Sequence, residues 1–170
     1  MKQLREATVE ALQQVQQLVE ASDEALYNQP SLHSESGIGR HVRHILDHFL
    51  ALQLGLEQGN IDYNTRHRDS DIENNPSLAL QLIEQLSAWI LHPTSAIIER
   101  AVTVESEVSL KQQYSMQFDS SLSRELCYLI NHTVHHVAYA KLVAKELSLP
   151  VSDSVGIAPS TASYLRQQGT

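Results

Sequence analysis

Residues 122–149 read LSRELCYLINHTVHHVAYAKLVAKELSL. Within them Leu122, Leu126, Leu129, Thr133, Val137, Ala140, Ala144 and Leu147 recur every three or four positions, the period of a helix with one buried face. Asp119-Ser120-Ser121 supplies N-terminal cap chemistry and Pro150 a stop. The stretch is a long helix, and it carries His132-Thr133-Val134-His135-His136. His132 and His136 are four residues apart, so they lie one turn above each other on one face, where two imidazoles can reach a common ion. At about 100° per residue His135 points well round toward the outside.

Working outward, three more helices are expected. Val9, Leu12, Val15, Leu18 and Val19 place one over Leu4–Leu26, which Asn28-Gln29-Pro30-Ser31 breaks. A second runs from Ile38 to about Gln58, with Val42, Ile45, Phe49, Leu52 and Leu56 on one stripe and Leu46, Leu50 and Leu54 extending apolar character round most of its surface, and Gly59-Asn60 ends it. A third starts at Pro76-Ser77 and runs through Leu78, Leu82, Ile83, Leu86 and Ile90 to a break at Pro93. Alternation at Val102 and Val104, then at Tyr114, Met116 and Phe118, resembles two short strands. A short last helix follows Pro159-Ser160-Thr161, with Ser160 expected to cap it. Four principal helices with long crossovers predict an all-α four-helix bundle over residues 1–170, one domain with a long crossover loop and a short C-terminal helix.

Composition narrows the function. The chain has 42% hydrophobic and 19% charged residues, an ordinary globular balance. Its net charge of −8 repels polyphosphate, which excludes nucleic acid as an expected partner. No window approaches the roughly 18 apolar residues of a membrane span, and the first residues lack a signal-peptide core, so no membrane association and a cytoplasmic location are expected. The single cysteine, Cys127, is expected to be a small buried side chain.

Nine histidines stand in 170 residues. Besides the helical pair, His41, His44 and His48 line one side of the helix over Ile38–Gln58, and helical geometry leaves the choice of a third ligand open among them. Several buried imidazoles without a shared purpose would each need desolvation and pairing, a cost that one cation removes. A thiolate-rich structural site is excluded by the cysteine count, whereas three neutral imidazoles with open positions remain available. His33, His67, His92 and His135 are expected to be ordinary surface or hydrogen-bonded residues. Asp47 is a natural carboxylate for the other N–H of a metal-bound imidazole, and whether it faces His44 is open at this point. Glu125 is two turns from His132, distant for a general base, and is expected to be a helix-surface charge or a partner of Arg124 or Arg43. Arg66, Arg68 and Asp69 lie on the long loop 61–75, where they would grip an anionic substrate or pair with Asp71 or Glu73. Tyr63, Tyr128 and Tyr139 receive no role, and Trp89 is expected in the core or an interface.

These motifs together, Gly37-Ile38-Gly39-Arg40-His41-Val42-Arg43-His44-Ile45-Leu46-Asp47-His48, Thr65-Arg66-His67-Arg68-Asp69, Ser123-Arg124-Glu125-Leu126 and His132-Thr133-Val134-His135-His136, resemble the DinB-like superfamily, which includes YfiT-type metal-dependent hydrolases and bacillithiol S-transferases. The resemblance implies a four-helix bundle, often a homodimer, holding one divalent ion through one histidine of the second helix and the H-x-x-x-H pair of the last long one. It assigns the metal to His44, His132 and His136, with His48 as alternate to His44. Zinc or nickel is the expected ion, with iron and manganese also compatible with such ligands. The implied activity is hydrolysis or transfer of a low-molecular-weight thiol, on a small-molecule substrate. The rival expectation is a non-enzymatic bundle, stabilised by its metal, with a binding or stress-related role.

Overall fold

The computed structural model describes residues 2–65, 67, 70–92 and 101–169. Arg66, Arg68 and Asp69, and the predicted break at Pro93, lie outside them. In chain order the elements are α1 (Lys2–Ala21), α2 (Glu24–Tyr27), α3 (Ile38–Gln58), β1 (Asn60–Asp62), a 3-10 turn (Asp71–Glu73), α4 (Pro76–Leu91), β2 (Ala101–Glu107), β3 (Ser115–Ser121), α5 (Leu122–Glu146) and α6 (Pro159–Gln167). The four long helices share one core: α1 packs on α5 and α4, and α3 packs on the same two. No helix among the described residues is long and apolar enough to cross a membrane.

Local chemistry explains most boundaries. Asn75 accepts from Leu78 N at 3.2 Å and Pro76 opens α4, while Ser121 accepts from Arg124 N at 3.3 Å to start α5. Gly59 leaves α3 at φ 83°, in the left-handed region, and donates to Gly55 O at 2.7 Å. Gly55 lets the departing chain double back closely, for a Cβ there would stand 2.6 Å from the Ile61 Cα. The first expected helix ends five residues early. Ser22 turns its hydroxyl onto the Leu18 and Val19 carbonyls, and Asp23 caps the separate turn α2 through Leu26 N at 2.8 Å.

The expectation of an all-helical chain needs correction. Residues 60–62, read as loop, pair in parallel with β2, and β2 pairs antiparallel with β3, giving a three-stranded sheet in the order β1-β2-β3. Ile61, Val102 and Val104 face inward and bring the sheet onto the helical core. Three other expectations also fail. Cys127 is exposed. Leu54 is exposed although α3 is otherwise apolar, because its packed face is the stripe from Val42 to Leu52. Ala158, not Ser160, occupies the cap of α6, and no side chain bonds there.

The segment before α6 is pinned down. Lys141 Nζ donates to the Asp153 and Val155 carbonyls at 2.7 and 3.0 Å, and Gly156 N donates to Gln14 Oε1 at 2.8 Å. Gly156, at φ 77°, sits against the α5 backbone at Ala138.

Candidate metal centre

The contact between α3 and α5 sets the histidines facing one another. On α3, His41, His44 and His48 follow the i, i+3, i+7 spacing of one side, and on α5 His132 and His136 occupy successive turns. One imidazole nitrogen from each of His44, His132 and His136 can be chosen so that all three lie within 4.8 Å of one another. Their ring centroids are 4.4 Å apart for His44–His136, 4.5 Å for His132–His136 and 5.1 Å for His44–His132. Imidazole nitrogens bound to one zinc-sized ion at about 2.1 Å in tetrahedral geometry stand about 3.4 Å apart, so small ring rotations convert this arrangement into a coordinating one. The donor set fits a divalent ion.

The alternates take other places. His48 is buried and donates from Nδ1 to the His44 carbonyl at 2.9 Å, and its ring lies 4.1 Å from that of His132. It supports the cluster from the side. His41 packs at 4.9 Å from the Tyr139 ring and 6.0 Å from His136. Its Nε2 is buried without a hydrogen bond among the described residues, and burial followed by the nearby Arg40 and Arg43 charges lowers its pKa, so this ring is held neutral. His135 is exposed, as its position on the helix predicts, and His33, His67 and His92 lie outside the cluster with exposed rings.

Asp47 accepts from Arg43 Nη1 at 3.1 Å and from His67 Nδ1 at 2.8 Å. Glu73 in the 3-10 turn accepts from Arg43 Nε at 3.1 Å and Arg40 Nε at 3.3 Å. A buried chain of charges, Glu73–Arg43–Asp47, therefore ties the crossover between β1 and α4 onto α3.

Glu125 is likewise not a surface charge. It is fully buried and accepts from Tyr63 Oη at 2.9 Å, from the Ser120 hydroxyl and from Arg124 Nη1 at 2.9 Å. The Arg124 pairing was expected, the burial was not. Tyr63 stacks on His48 with centroids 5.2 Å apart, and Tyr128 stacks on His132 at 5.5 Å. Both tyrosines therefore border the histidines, a part the sequence reading did not give them. For Tyr128 a signal existed, since it stands four residues before His132. Tyr63 comes from another segment and had none.

The structure superposes on YjoA, a DinB-like protein of Bacillus subtilis, with a TM-score of 0.60 and 18% identity, over 87% of this chain and 96% of that one. The fold is DinB-like. A second structure with this DinB-like fold, YfiT of Bacillus subtilis, described as a probable metal-dependent hydrolase with an unusual four-helix bundle topology, matches with a TM-score of 0.59 and 16% identity over 86% of this chain and 87% of its own. No family model matches the sequence. Over 108 residues, 64% of this chain, it is 29% identical to FK506-binding protein 5 of Rhizopus delemar. The match spans only 28% of that relative's length.

Proposed function

We propose that this chain is a divalent-metal-dependent hydrolase built on a four-helix bundle, with His44, His132 and His136 as ligands. The observation that carries this reading is the convergence of three imidazole nitrogens from α3 and α5 within 4.8 Å. The description of YfiT, which shares the fold, supports it. A divalent ion held by three neutral imidazoles keeps its full charge and open positions, and supplies a Lewis acid that lowers the pKa of water near neutrality.

The chain's own residues do the rest. The core around Phe49, Leu52, Leu126 and Leu129 holds α3 and α5 in register, which fixes the distance between the single ligand and the pair. His48, with Nδ1–H committed to the His44 carbonyl, keeps the ring beside His132 in one orientation. Tyr63 and Tyr128 wall the site with aromatic surface.

Elemental analysis of the purified full chain tests the centre. About one divalent ion per chain is expected in the wild type and in His135→Ala, and far less in His44→Ala, His132→Ala and His136→Ala. Equal metal in all five proteins overturns the assignment. Hydrolysis of ester and amide substrates, measured with and without chelator beside a thiol-plus-electrophile assay, then tests the reaction class. Chelation is expected to abolish hydrolysis while the far-ultraviolet circular dichroism stays helical, because the core does not depend on the ion. Chelation that unfolds the chain would favour a structural metal, and activity only in the thiol assay would favour transfer.

A further inference from the structure

Beside the histidines lies a cleft, lined among others by Tyr63, Val104, Phe118, Arg124, Glu125 and Tyr128. It shares a wall with the proposed metal centre, since the two tyrosines whose rings stack on His48 and His132 also line the cleft. Its cation is arranged with some care. Arg124 lies 5.4 Å over the face of Tyr128 and gives Nη1 to the buried Glu125, whose carboxylate Tyr63 and Ser120 hold from the other directions. The guanidinium is thus fixed in place while its side chain stays 63% exposed, and among the described residues its remaining N–H groups bond to nothing. A planar guanidinium anchored on one edge presents the other edge as a ready fork for a carboxylate.

The geometry points to a carboxylate-binding subsite: Arg124, positioned by Glu125 and Tyr128, takes the acid group of a small, partly apolar organic acid that lies against the tyrosine wall of the three-histidine centre. That the centre beside it holds a metal rests on the function proposed above; the subsite itself does not. On α5 the Tyr128 ring lies between Arg124 and His132, 5.4 Å from the guanidinium and 5.5 Å from the imidazole, so the cleft borders the histidines through this ring. Val104 and Phe118 offer apolar surface to the acid's body. With Asp119 on the exposed rim and Glu125 beneath, the cleft has no spare positive charge for a phosphate dianion, and what it offers is hydrogen bonds from one guanidinium, which suit a single carboxylate.

Titration of the full chain with benzoate and with benzamide, its uncharged isostere, followed by nuclear magnetic resonance in metal-loaded and chelator-treated samples of measured metal content, tests this. Benzoate is expected to bind about tenfold tighter than benzamide with or without metal. Arg124→Gln is expected to erase that preference and Arg124→Lys to keep part of it; Glu125 keeps Tyr63 and Ser120 as donors in both variants, and far-ultraviolet circular dichroism checks that each folds like the wild type. No preference in the wild type, or a preference that survives Arg124→Gln, overturns the subsite. A preference lost on chelation also overturns it, since the carboxylate would then be sitting on the ion. A chain that holds no metal yet shows the Arg124-dependent preference retains the subsite and loses the metal centre, so the two proposals fail separately.

Discussion

The phenol of Tyr63 donates to Glu125 Oε2 at 2.9 Å, joining the residue just past β1 to the first turn of α5 across 62 positions of sequence. Both groups are buried, and burial followed by the Glu125 charge holds the phenol's pKa far above the ordinary tyrosine value. Removing the hydroxyl leaves a buried carboxylate with one donor fewer. Tyr63→Phe is expected to lower stability by about 1–3 kcal/mol, measured as a shift of the urea midpoint at unchanged slope. A midpoint equal to the wild type would show that the bond contributes nothing net.

Arg43 stands between two carboxylates, Glu73 and Asp47, and all three are buried. Arg43→Ala strands both charges and is expected to cost about 3–5 kcal/mol. Arg43→Ala combined with Glu73→Gln and Asp47→Asn is expected to recover part of the loss, because the stranded charges are gone. A triple variant no more stable than Arg43→Ala in thermal melts would assign the loss to packing instead.

Gly39 is required by space, not by backbone angle. A Cβ there would fall 2.1 Å from the Glu73 carbonyl oxygen, and backbone cannot move aside as a flexible side chain can. Gly39→Ala is expected to destabilise by about 1–3 kcal/mol and to weaken the hold of the 3-10 turn on α3, read as faster amide hydrogen exchange at residues 71–73. Exchange there at the wild-type rate would contradict this contact.

Tyr27 is fully buried, and its hydroxyl has no hydrogen-bond partner among the described residues. Burial, then the Glu73 charge, raises its pKa. In the unfolded chain this phenol ionises near pH 10, so the folded state keeps a proton that the unfolded state gives up. Its contribution is complete below about pH 10 and declines above it, by about 1.4 kcal/mol per pH unit. Tyr27→Phe is expected to leave stability at pH 7 little changed and to make the alkaline decline shallower in denaturant titrations between pH 9 and 11. Parallel curves for the two proteins would refute the buried neutral phenol.

What could be read in the sequence was what helical period controls. His132 and His136 needed only i, i+4 spacing, His135 only its angle, and the caps at Asn75 and Ser121 only local chemistry. The second helix was harder, because His41, His44 and His48 share a side and spacing does not rank them. Their separation follows from the depth at which α3 meets α5, a tertiary quantity. The sheet was half visible: β2 and β3 alternate, whereas β1 has three residues and exists only because β2 lies beside it. The burial of Glu125 and the His67 contact of Asp47 were not legible, because a carboxylate's partners on distant segments, Tyr63 for one and His67 for the other, leave no periodic trace.

Strand β3 ends at Ser121 and α5 begins at Leu122, with no residue between them to act as a joint. The strand register that sets Phe118 and Asp119 at the cleft therefore also sets the first turn of α5, which carries Arg124, so the two sides of the cleft mouth are laid down by one uninterrupted piece of chain.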